Sequence, residues 1–203
     1  GKSPTLPADV AAWLDDTTEA LGPLLNDATA EVAVAYSALW GDARVLGTHL
    51  GRDYGHADHE VAGSADYVVH GPDRLVIYDL KTGRGDVTEP ARNGQLLTLA
   101  LAYSRAVEWT GPVHVGLILA PDGGPVRVVE VQVSHEELDR HARALSVMAE
   151  RIAEATEGVQ AGREPKWLSP GDHCKYCPAR ASCPSVGRSQ DSLLTRPGRI
   201  TGE

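Results

Sequence analysis

The chain lacks phenylalanine, has a single methionine at position 148, and contains no long apolar run. Among its 203 residues only 5% are aromatic, whereas 21 are glycine. The longest apolar stretch, residues 96–107, is interrupted by Thr98, Ser104 and Arg105. A membrane span needs roughly 18–20 apolar residues, so none is expected. No signal-peptide pattern is present, and we therefore predict a cytoplasmic protein.

Cysteine is also scarce, and all three cysteines lie close together at positions 174, 177 and 183. Clustered cysteines without an export signal favour metal binding over disulfides. A Cys-x-x-Cys pair lets two thiolates reach one metal from a tight turn. Three thiols leave one coordination position open, so a metal clip and three free thiols both remain possible readings.

The net charge of -9 argues against a surface that coats nucleic acid broadly, but the charge is unevenly distributed. Residues 163–199 contain seven basic and three acidic side chains, a net charge of +4 against -13 for the rest of the chain. A basic appendage beside an acidic body suits contact with DNA. A solvated flexible tail explains the same charges equally well.

Hydrophobic periodicity predicts a mixed α/β core in one domain with appendages. The chain starts at Gly1 without a methionine, which predicts an N-terminally truncated piece of a longer protein. A loop or weak ribbon is expected over 41–59, and Ser134 with Glu137 forms a capping box before the last helix. The predicted elements are a helix over 6–26, strands over 31–36, 64–70 and 74–81, a helix over 89–109, strands over 113–120 and 126–133, and a helix over 134–157.

The two strands 64–70 and 74–81 are expected to form a hairpin, because residues 71–73 read Gly-Pro-Asp, which is turn chemistry. If the strands pair symmetrically about this turn, His70 faces Leu75. Every later pair then follows from that register.

This register places Asp66 directly across from Asp79, and alternation puts Lys81 on the same face as Asp79. Opposed carboxylates destabilise a hairpin, so the arrangement predicts a bound cation. A hard cation such as Mg²⁺ or Mn²⁺ held there would polarise a phosphoryl oxygen and acidify a water, while Lys81 would offset developing charge. An ordinary hairpin with a solvated polar face is the alternative, since one β-bulge would break the register.

Four motifs in order resemble those of the PD-(D/E)xK nucleases, and more narrowly their RecB-like exonuclease branch. Residues 63–66 match G-x-x-D, residues 79–81 match D-x-K, Gln95 lies where the branch carries Gln-x-x-x-Tyr, and 174–184 look like the cysteine clip of its iron–sulfur members. The resemblance implies a restriction-endonuclease-like α/β fold, with a mixed central β-sheet flanked by helices and a C-terminal cysteine-rich clip.

The resemblance also implies the site. Its catalytic residues would be Asp66, Asp79, Lys81 and Gln95, and its Mg²⁺ or Mn²⁺ would be held by Asp66, Asp79 and Leu80. Gln95 would orient the attacking water or the lysine. The nuclease core would extend over 1–162.

The basic tail over 163–203 would carry the cysteine clip. Cys174, Cys177 and Cys183 would bind a [4Fe–4S] cluster if a fourth cysteine came from an absent N-terminal segment. Zinc is the alternative, with a histidine as fourth ligand; His173 is awkwardly placed because it adjoins Cys174.

Two departures from the family pattern stand out. Leu99 occupies the position of the motif's tyrosine, and Tyr103 lies one turn further along. The family's first motif has no counterpart. The missing first motif and the missing fourth cysteine both point to an absent N-terminal stretch.

For three further candidate site residues or segments, a functional role and an ordinary structural position both remain possible. Glu31, at the start of a strand, either joins the site or faces solvent. Arg84, in a Gly-rich segment over 82–86, either contacts a phosphate or sits in a plain turn. One of His49, His56 and His59 would complete a cation shell, or all three are solvated loop residues.

The favoured function is a metal-dependent deoxyribonuclease, most like an exonuclease from a phage, recombination–repair or defence system. Its partners would be DNA, as single strands or duplex ends, and the remainder of a longer polypeptide or a helicase or recombination partner, with no membrane. The alternatives are a nuclease-fold module that binds DNA or protein without cutting, and a metal-clip interaction domain.

Overall fold

The structure is a computed structural model that describes residues 8–51, 53–82, 88–121, 124–163, 166–178, 180–183 and 185. Contacts divide these residues into two compact units, one up to Ala149 and one from Glu150 onward. Of the helices in these ranges, none is both long enough and apolar enough to cross a membrane.

The first unit is built around one mixed sheet. In its described part, six strands follow the order β2-β1-β3-β4-β5-β6, and all neighbours are antiparallel except β4 and β5. The elements are α1 (Ala8–Leu25), β1 (Ala28–Ser37), β2 (Ala43–Thr48), β3 (Glu60–His70), β4 (Leu75–Lys81), α2 (Gly94–Ala106), β5 (Val113–Leu119), β6 (Arg127–Val133) and α3 (His135–Gln160). Short 3₁₀ turns occur at Pro90–Arg92, Asp172–Tyr176 and Arg180–Ser182.

The mixed α/β core predicted from the sequence is present, with two differences in its elements. Strand β2 forms where a loop or weak ribbon was expected, and it pairs with β1 at the sheet edge. The second helix begins at Gly94 instead of 89, because the Asn93 side chain caps it by accepting from the main-chain N–H groups of Gln95 and Leu96.

The predicted capping box of α3 is confirmed. The N–H of Glu137 donates to Ser134 Oγ at 3.2 Å, and the N–H of Ser134 donates to Glu137 Oε2 at 2.8 Å. Together the two residues satisfy donors that the first helical turn leaves unpaired. Helix α3 therefore starts where the sequence pattern places it.

The central strand β4 is buried on both faces, as expected of a strand inside a sheet with helices on either side. Leu75 and Ile77 join the larger apolar cluster, which includes residues of α2 and α3. Val76 and Tyr78 join the smaller cluster on the opposite face with Leu21 of α1. Alternation therefore directs Asp79 towards α2 at the point where the strand leaves the core, while Leu80 packs against the smaller cluster.

Candidate active site

The β3–β4 hairpin has the register that the sequence predicts. His70 pairs with Leu75, and the ladder continues in step to Tyr67 and Tyr78, where it ends. The next two residues along the strands are Asp66 and Asp79. Instead of extending the ladder there, the Asp66 side chain accepts a hydrogen bond on Oδ2 from the Leu80 N–H at 2.5 Å. The strands therefore separate where the two carboxylates begin.

Strict alternation of side chains also fails at this point. Ala65 and Val68 both belong to the larger apolar cluster although they are three residues apart, which a regular strand does not allow. On the neighbouring strand β1, Glu31 has a left-handed φ of 51°. A non-glycine residue in this conformation is uncommon and marks a local departure from regular strand geometry. The irregularity lies beside Asp66, between the hairpin and β1.

Both oxygens of the Asp79 carboxylate have an identified neighbour. Oδ1 accepts a hydrogen bond from Gln95 Nε2 at 3.1 Å, and Oδ2 lies 2.6 Å from Lys81 Nζ. The side chain of Asp79 is only 7% exposed, whereas that of Lys81 is 35% exposed. Oδ2 is fully buried and accepts no well-oriented hydrogen bond from the described residues, so the ammonium group of Lys81 is its compensation.

Asp66 lies in an unfavourable place for a negative charge. Burial raises the pKa of its carboxyl group, and the nearby carboxylates of Asp79 and Glu31 raise it further. The Leu80 N–H and the charge of Lys81 act in the opposite direction, but the pKa remains above its ordinary value. A positive charge placed between these carboxylates would relieve the repulsion.

Glu31 is therefore part of the same cluster. Ser64 Oγ lies 3.4 Å from Glu31 Oε2, and Glu31 is close enough to Asp66 to affect its pKa. Sequence reasoning left Glu31 open between the site and solvent. Its position follows from the pairing of β1 with β3, which places Val32 opposite Ala65 and thus Glu31 beside Asp66.

The carboxylates suit a divalent cation that keeps most of its water. No group of three or more His, Cys, Asp or Glu side chains is arranged to hold a metal anywhere in the described ranges. Mg²⁺ is commonly bound through one or two carboxylates together with waters and substrate phosphates. The buried Oδ2 of Asp79, which accepts no well-oriented hydrogen bond from the described residues, and the raised pKa of Asp66 fit that mode. Leu80 takes part in the site through its main-chain N–H, which donates a hydrogen bond to Asp66 Oδ2.

The three histidines ahead of the hairpin do not join the carboxylates. The His59 ring lies 4.1 Å from that of Trp40, and the His56 ring lies 6.5 Å from that of Tyr54. His49 contributes a main-chain N–H to the Glu31 carbonyl, at 3.0 Å. The Gly-rich segment with Arg84 falls outside the described residues.

The departures around Gln95 have a structural consequence. Leu99 is buried in the apolar core, with 4% of its surface exposed. Tyr103 lies at the far end of the hairpin, where its hydroxyl is 3.2 Å from His70 Nδ1. Among the described residues, therefore, no tyrosine of α2 accompanies Gln95 at the carboxylates.

The second unit contains the cysteines. The N–H of Cys177 donates to the Cys174 carbonyl at 3.2 Å, and Cys174 Sγ lies 3.4 Å from the N–H of Gly171. Cys183 follows the turn Arg180–Ser182. All three are free thiols, and they do not converge into a group of three ligands in the part of the chain described. The metal clip therefore stays a prediction.

A sequence profile of the PD-(D/E)XK nuclease superfamily matches residues 4–184. The chain belongs to this superfamily. Its sheet, with helices on both faces and with carboxylates at the end of a hairpin, is the nuclease's α/β core. As a member of the superfamily it is placed among hydrolytic nucleases that typically use divalent metals such as Mg²⁺ or Mn²⁺.

Two solved structures resemble this nuclease at low sequence identity. The crystal structure of SSO0001 is 17% identical, with a TM-score of 0.41, over 87% of this chain and 69% of that one. A Eubacterium rectale protein named "Putative exonuclease" is 12% identical, with a TM-score of 0.42, over 83% of this chain. This chain covers 57% of the length of that second protein. No curated protein matches the nuclease significantly.

Proposed function

We propose that the chain is a divalent-metal-dependent deoxyribonuclease that hydrolyses phosphodiester bonds of DNA, acting as a RecB-like exonuclease at strand ends. The observation that carries this proposal is the convergence of Asp66, Asp79, Lys81 and Gln95 at one end of the β3–β4 hairpin. Membership of the nuclease superfamily supports this chemistry, and the cluster supports assigning it to these four residues.

Asp66 and Asp79, with the main chain at Leu80, are the residues proposed to hold Mg²⁺ or Mn²⁺. When bound, the cation would supply Lewis-acid activation of a phosphoryl oxygen and of a water. The carboxylates hold their orientation without it, because Leu80 fixes Asp66 and Gln95 fixes Asp79. Such preorganisation is what electrostatic catalysis requires.

Lys81 is proposed to act next to the reacting phosphate. Its Nζ lies against Asp79 Oδ2, and its side chain is one-third exposed, so the ammonium group faces both the carboxylate and the solvent side. A cation at Asp79 would compete with Lys81 for Oδ2. The ammonium group would then be free to position the attacking water and to offset charge that develops on the phosphoryl group.

A cleavage assay on labelled single- and double-stranded DNA tests the proposal directly. We expect degradation with Mg²⁺ or Mn²⁺ and none with EDTA. Products that shorten from the ends support an exonuclease, whereas internal cuts support an endonuclease. Absence of cleavage with either metal contradicts the proposed activity.

A second candidate is a nuclease-fold module that binds DNA or a partner protein without cutting. The burial of Leu99 in the core and the lack of a third metal ligand in the described residues favour it. Binding of DNA that persists in the cleavage assay without product would identify this alternative.

The C-terminal part is proposed to be a basic tail over 163–203 that carries a metal clip. Cys174, Cys177 and Cys183 would bind a [4Fe–4S] cluster, or zinc, with a fourth ligand from outside this chain. The support is the Cys-x-x-Cys spacing and the basic charge of the tail. A longer polypeptide or a helicase or recombination partner would supply that ligand, and we propose that the protein acts in the cytoplasm during recombination, repair, phage replication or defence.

A further inference from the structure

An apolar groove opens beside the catalytic cluster on the side of the sheet that faces α2. Its volume is about 380 Å³, and it is lined by Ala62 and Gly63 of β3, by the start of α2, and by Met148 of α3. Gln95 is shared by the groove and the catalytic cluster, because it lines the groove and donates a hydrogen bond to Asp79 at 3.1 Å. The groove is therefore continuous with the proposed catalytic site.

The groove has the size and surface of a ligand site. Pockets for small organic groups typically range over about 300–1,000 Å³ and are mostly apolar. At its rim, Val61 is 49% exposed and Met148 is 51% exposed. Gly94 leaves open space at the start of α2, since a Cβ there would meet nothing within 4 Å. An apolar concavity with an exposed apolar rim is a surface on which a flat organic group can be buried.

Besides Gln95, the polar side chains that line the groove are Thr98 and His141, and the hydrogen bonds of this pair can be assigned. Thr98 Oγ1 donates its only hydrogen to the Gly94 carbonyl at 2.7 Å. The 2.8 Å contact between Thr98 Oγ1 and His141 Nε2 therefore has the histidine as donor. His141 Nδ1 is then an acceptor, and none of the described residues donates to it. Burial lowers the pKa of His141, which keeps the ring neutral near pH 7.

We propose that this groove binds a nucleobase of the DNA strand whose phosphate lies at Asp66 and Asp79, an inference that rests on the proposed nuclease function. A nucleobase has two flat faces that bury well against apolar side chains and an edge with N–H donors for His141 Nδ1. The flat faces are free only when the base is unpaired and unstacked. The nuclease therefore engages unpaired nucleotides, and it tolerates any sequence, because every base offers a face and a donor.

Binding measurements test the proposal without requiring activity. Two labelled oligonucleotides of equal length are compared by fluorescence anisotropy with Ca²⁺ replacing Mg²⁺: oligo-dA and a strand that is abasic at every position. Both carry the same phosphates, so electrostatic binding is matched. We expect oligo-dA to bind more tightly by about 10- to 100-fold, the range typical of bases held in protein sites.

Variants then locate the effect. Val61→Trp fills the groove from its rim and should bring the two affinities within about 2-fold of each other. Val128→Trp is the matched control, since Val128 is a similarly exposed strand valine on β6, outside the groove. It should keep the full preference. Gly94→Leu fills the same groove from α2, so the test can still be made if Val61→Trp does not fold. Circular dichroism shows whether each variant is folded.

Two results would overturn the base site: equal affinity of the wild-type protein for both strands, or an unchanged preference in both Val61→Trp and Gly94→Leu. Cleavage of oligo-dA with Mg²⁺ is followed in parallel. A base preference without cleavage would reject the nuclease activity and leave the base site standing. Cleavage of oligo-dA without a base preference would support the nuclease activity and reject the base site.

Discussion

Gln95 Nε2 donates a hydrogen bond to Asp79 Oδ1 at 3.1 Å. This contact joins the first turn of α2 to the C-terminal end of the buried strand β4. The cap formed by Asn93 places Gln95 there, since it starts the helix at Gly94. Lys81 approaches the other carboxylate oxygen at 2.6 Å. Because both oxygens have a partner, the carboxylate cannot rotate freely, and a cation would meet it in a fixed orientation.

Replacing Lys81 with alanine should abolish cleavage and preserve the fold. We expect a fall in rate on the order of 10²- to 10³-fold, as for other groups that stabilise transition-state charge. Mn²⁺ affinity, measured by calorimetry, should stay equal or rise, because Lys81 competes for Asp79 Oδ2. Lys166→Ala removes an exposed ion pair with Glu154 and serves as control. Wild-type turnover in Lys81→Ala would contradict the catalytic role.

Asp66→Asn and Asp79→Asn should each weaken binding of divalent cations. Asp66→Asn should also raise the melting temperature of the metal-free protein. In the wild-type protein the pKa of Asp66 is raised in the folded state, so the folded protein binds more protons than the unfolded chain at mildly acidic pH. Stability therefore falls as pH rises from about 4, the ordinary value for Asp, through the raised pKa. The asparagine variant should lack this fall.

Calorimetry with Mn²⁺ and thermal melts across that pH range check both parts. Asp139→Asn is a suitable control, because the Asp139 carboxylate is exposed and forms an ion pair with Arg105 of α2 at 3.1 Å. Unchanged Mn²⁺ affinity in both asparagine variants would mean that the cation binds elsewhere.

The carboxylate cluster was predictable because it depends on local rules. The turn at Gly71 fixes the register of the hairpin as far as Tyr67 and Tyr78, so Asp66, Asp79 and Lys81 could be placed near one another from their numbers, although the pairing stops before the two aspartates. Glu31 could not, since its position depends on a pairing between distant strands and on a left-handed φ of 51° that no sequence rule indicates. The start of α2 was missed because the Pro90 signal outweighed the cap formed by Asn93.

Strand β2 and its ion pair were missed for a similar reason. A short edge strand rich in exposed residues has almost no hydrophobic signal, and it forms here through pairing with β1. Arg44 of β2 then reaches Glu60 at the start of β3, with N···O distances of 2.9 and 2.8 Å. This contact joins the two ends of a segment that was expected to be irregular.

The Arg44–Glu60 pair should contribute to stability in acid. Hydrogen bonds from Arg44 and from the Ala57 N–H lower the pKa of Glu60 to about 2. A lowered carboxyl pKa gives stability that is present above the unfolded value and is lost as pH falls towards the folded value. Glu60→Gln should therefore remove part of the stability loss between pH 4.5 and about 2.

Urea unfolding at several pH values measures this effect. Glu136→Gln is the control, because its carboxylate is 82% exposed and only a surface pair with Arg140 is lost. Equal acid profiles for Glu60→Gln and the wild-type protein would show that the pair has no influence on stability.

Gly116→Ala should destabilise the sheet by about 1–3 kcal/mol, the usual cost of overpacking a core. Gly116 lies on β5 opposite Tyr78 of β4, and an added Cβ would overlap the tyrosine ring. That ring is fully buried, and its hydroxyl donates a hydrogen bond to the Glu130 carboxylate. Gly158→Ala in α3 is the control: its Cβ would meet nothing within 4 Å, and the helix should gain stability. Chemical unfolding that shows equal stabilities for both variants would contradict the packing argument.

The last prediction concerns the cysteine clip. If Cys174, Cys177 and Cys183 bind an iron–sulfur cluster, anaerobically purified full-length protein should be brown, absorb broadly near roughly 400 nm and bleach with dithionite. The present chain, which has only three thiols, should hold the cluster poorly or bind zinc. Metal binding contributes directly to folding free energy, so replacing any of the three with serine should lower the stability of the second unit.

Cleavage should survive in these serine variants at least in part, because the proposed catalytic residues Asp66, Asp79, Lys81 and Gln95 are unchanged. Ser169→Ala, outside the Cys-x-x-Cys turn, is the control for the substitution itself. Limited proteolysis after Gly162 reports on the second unit, and elemental analysis reports on the metal. Full-length protein purified without oxygen that contains neither iron nor zinc would reject the clip as a metal site.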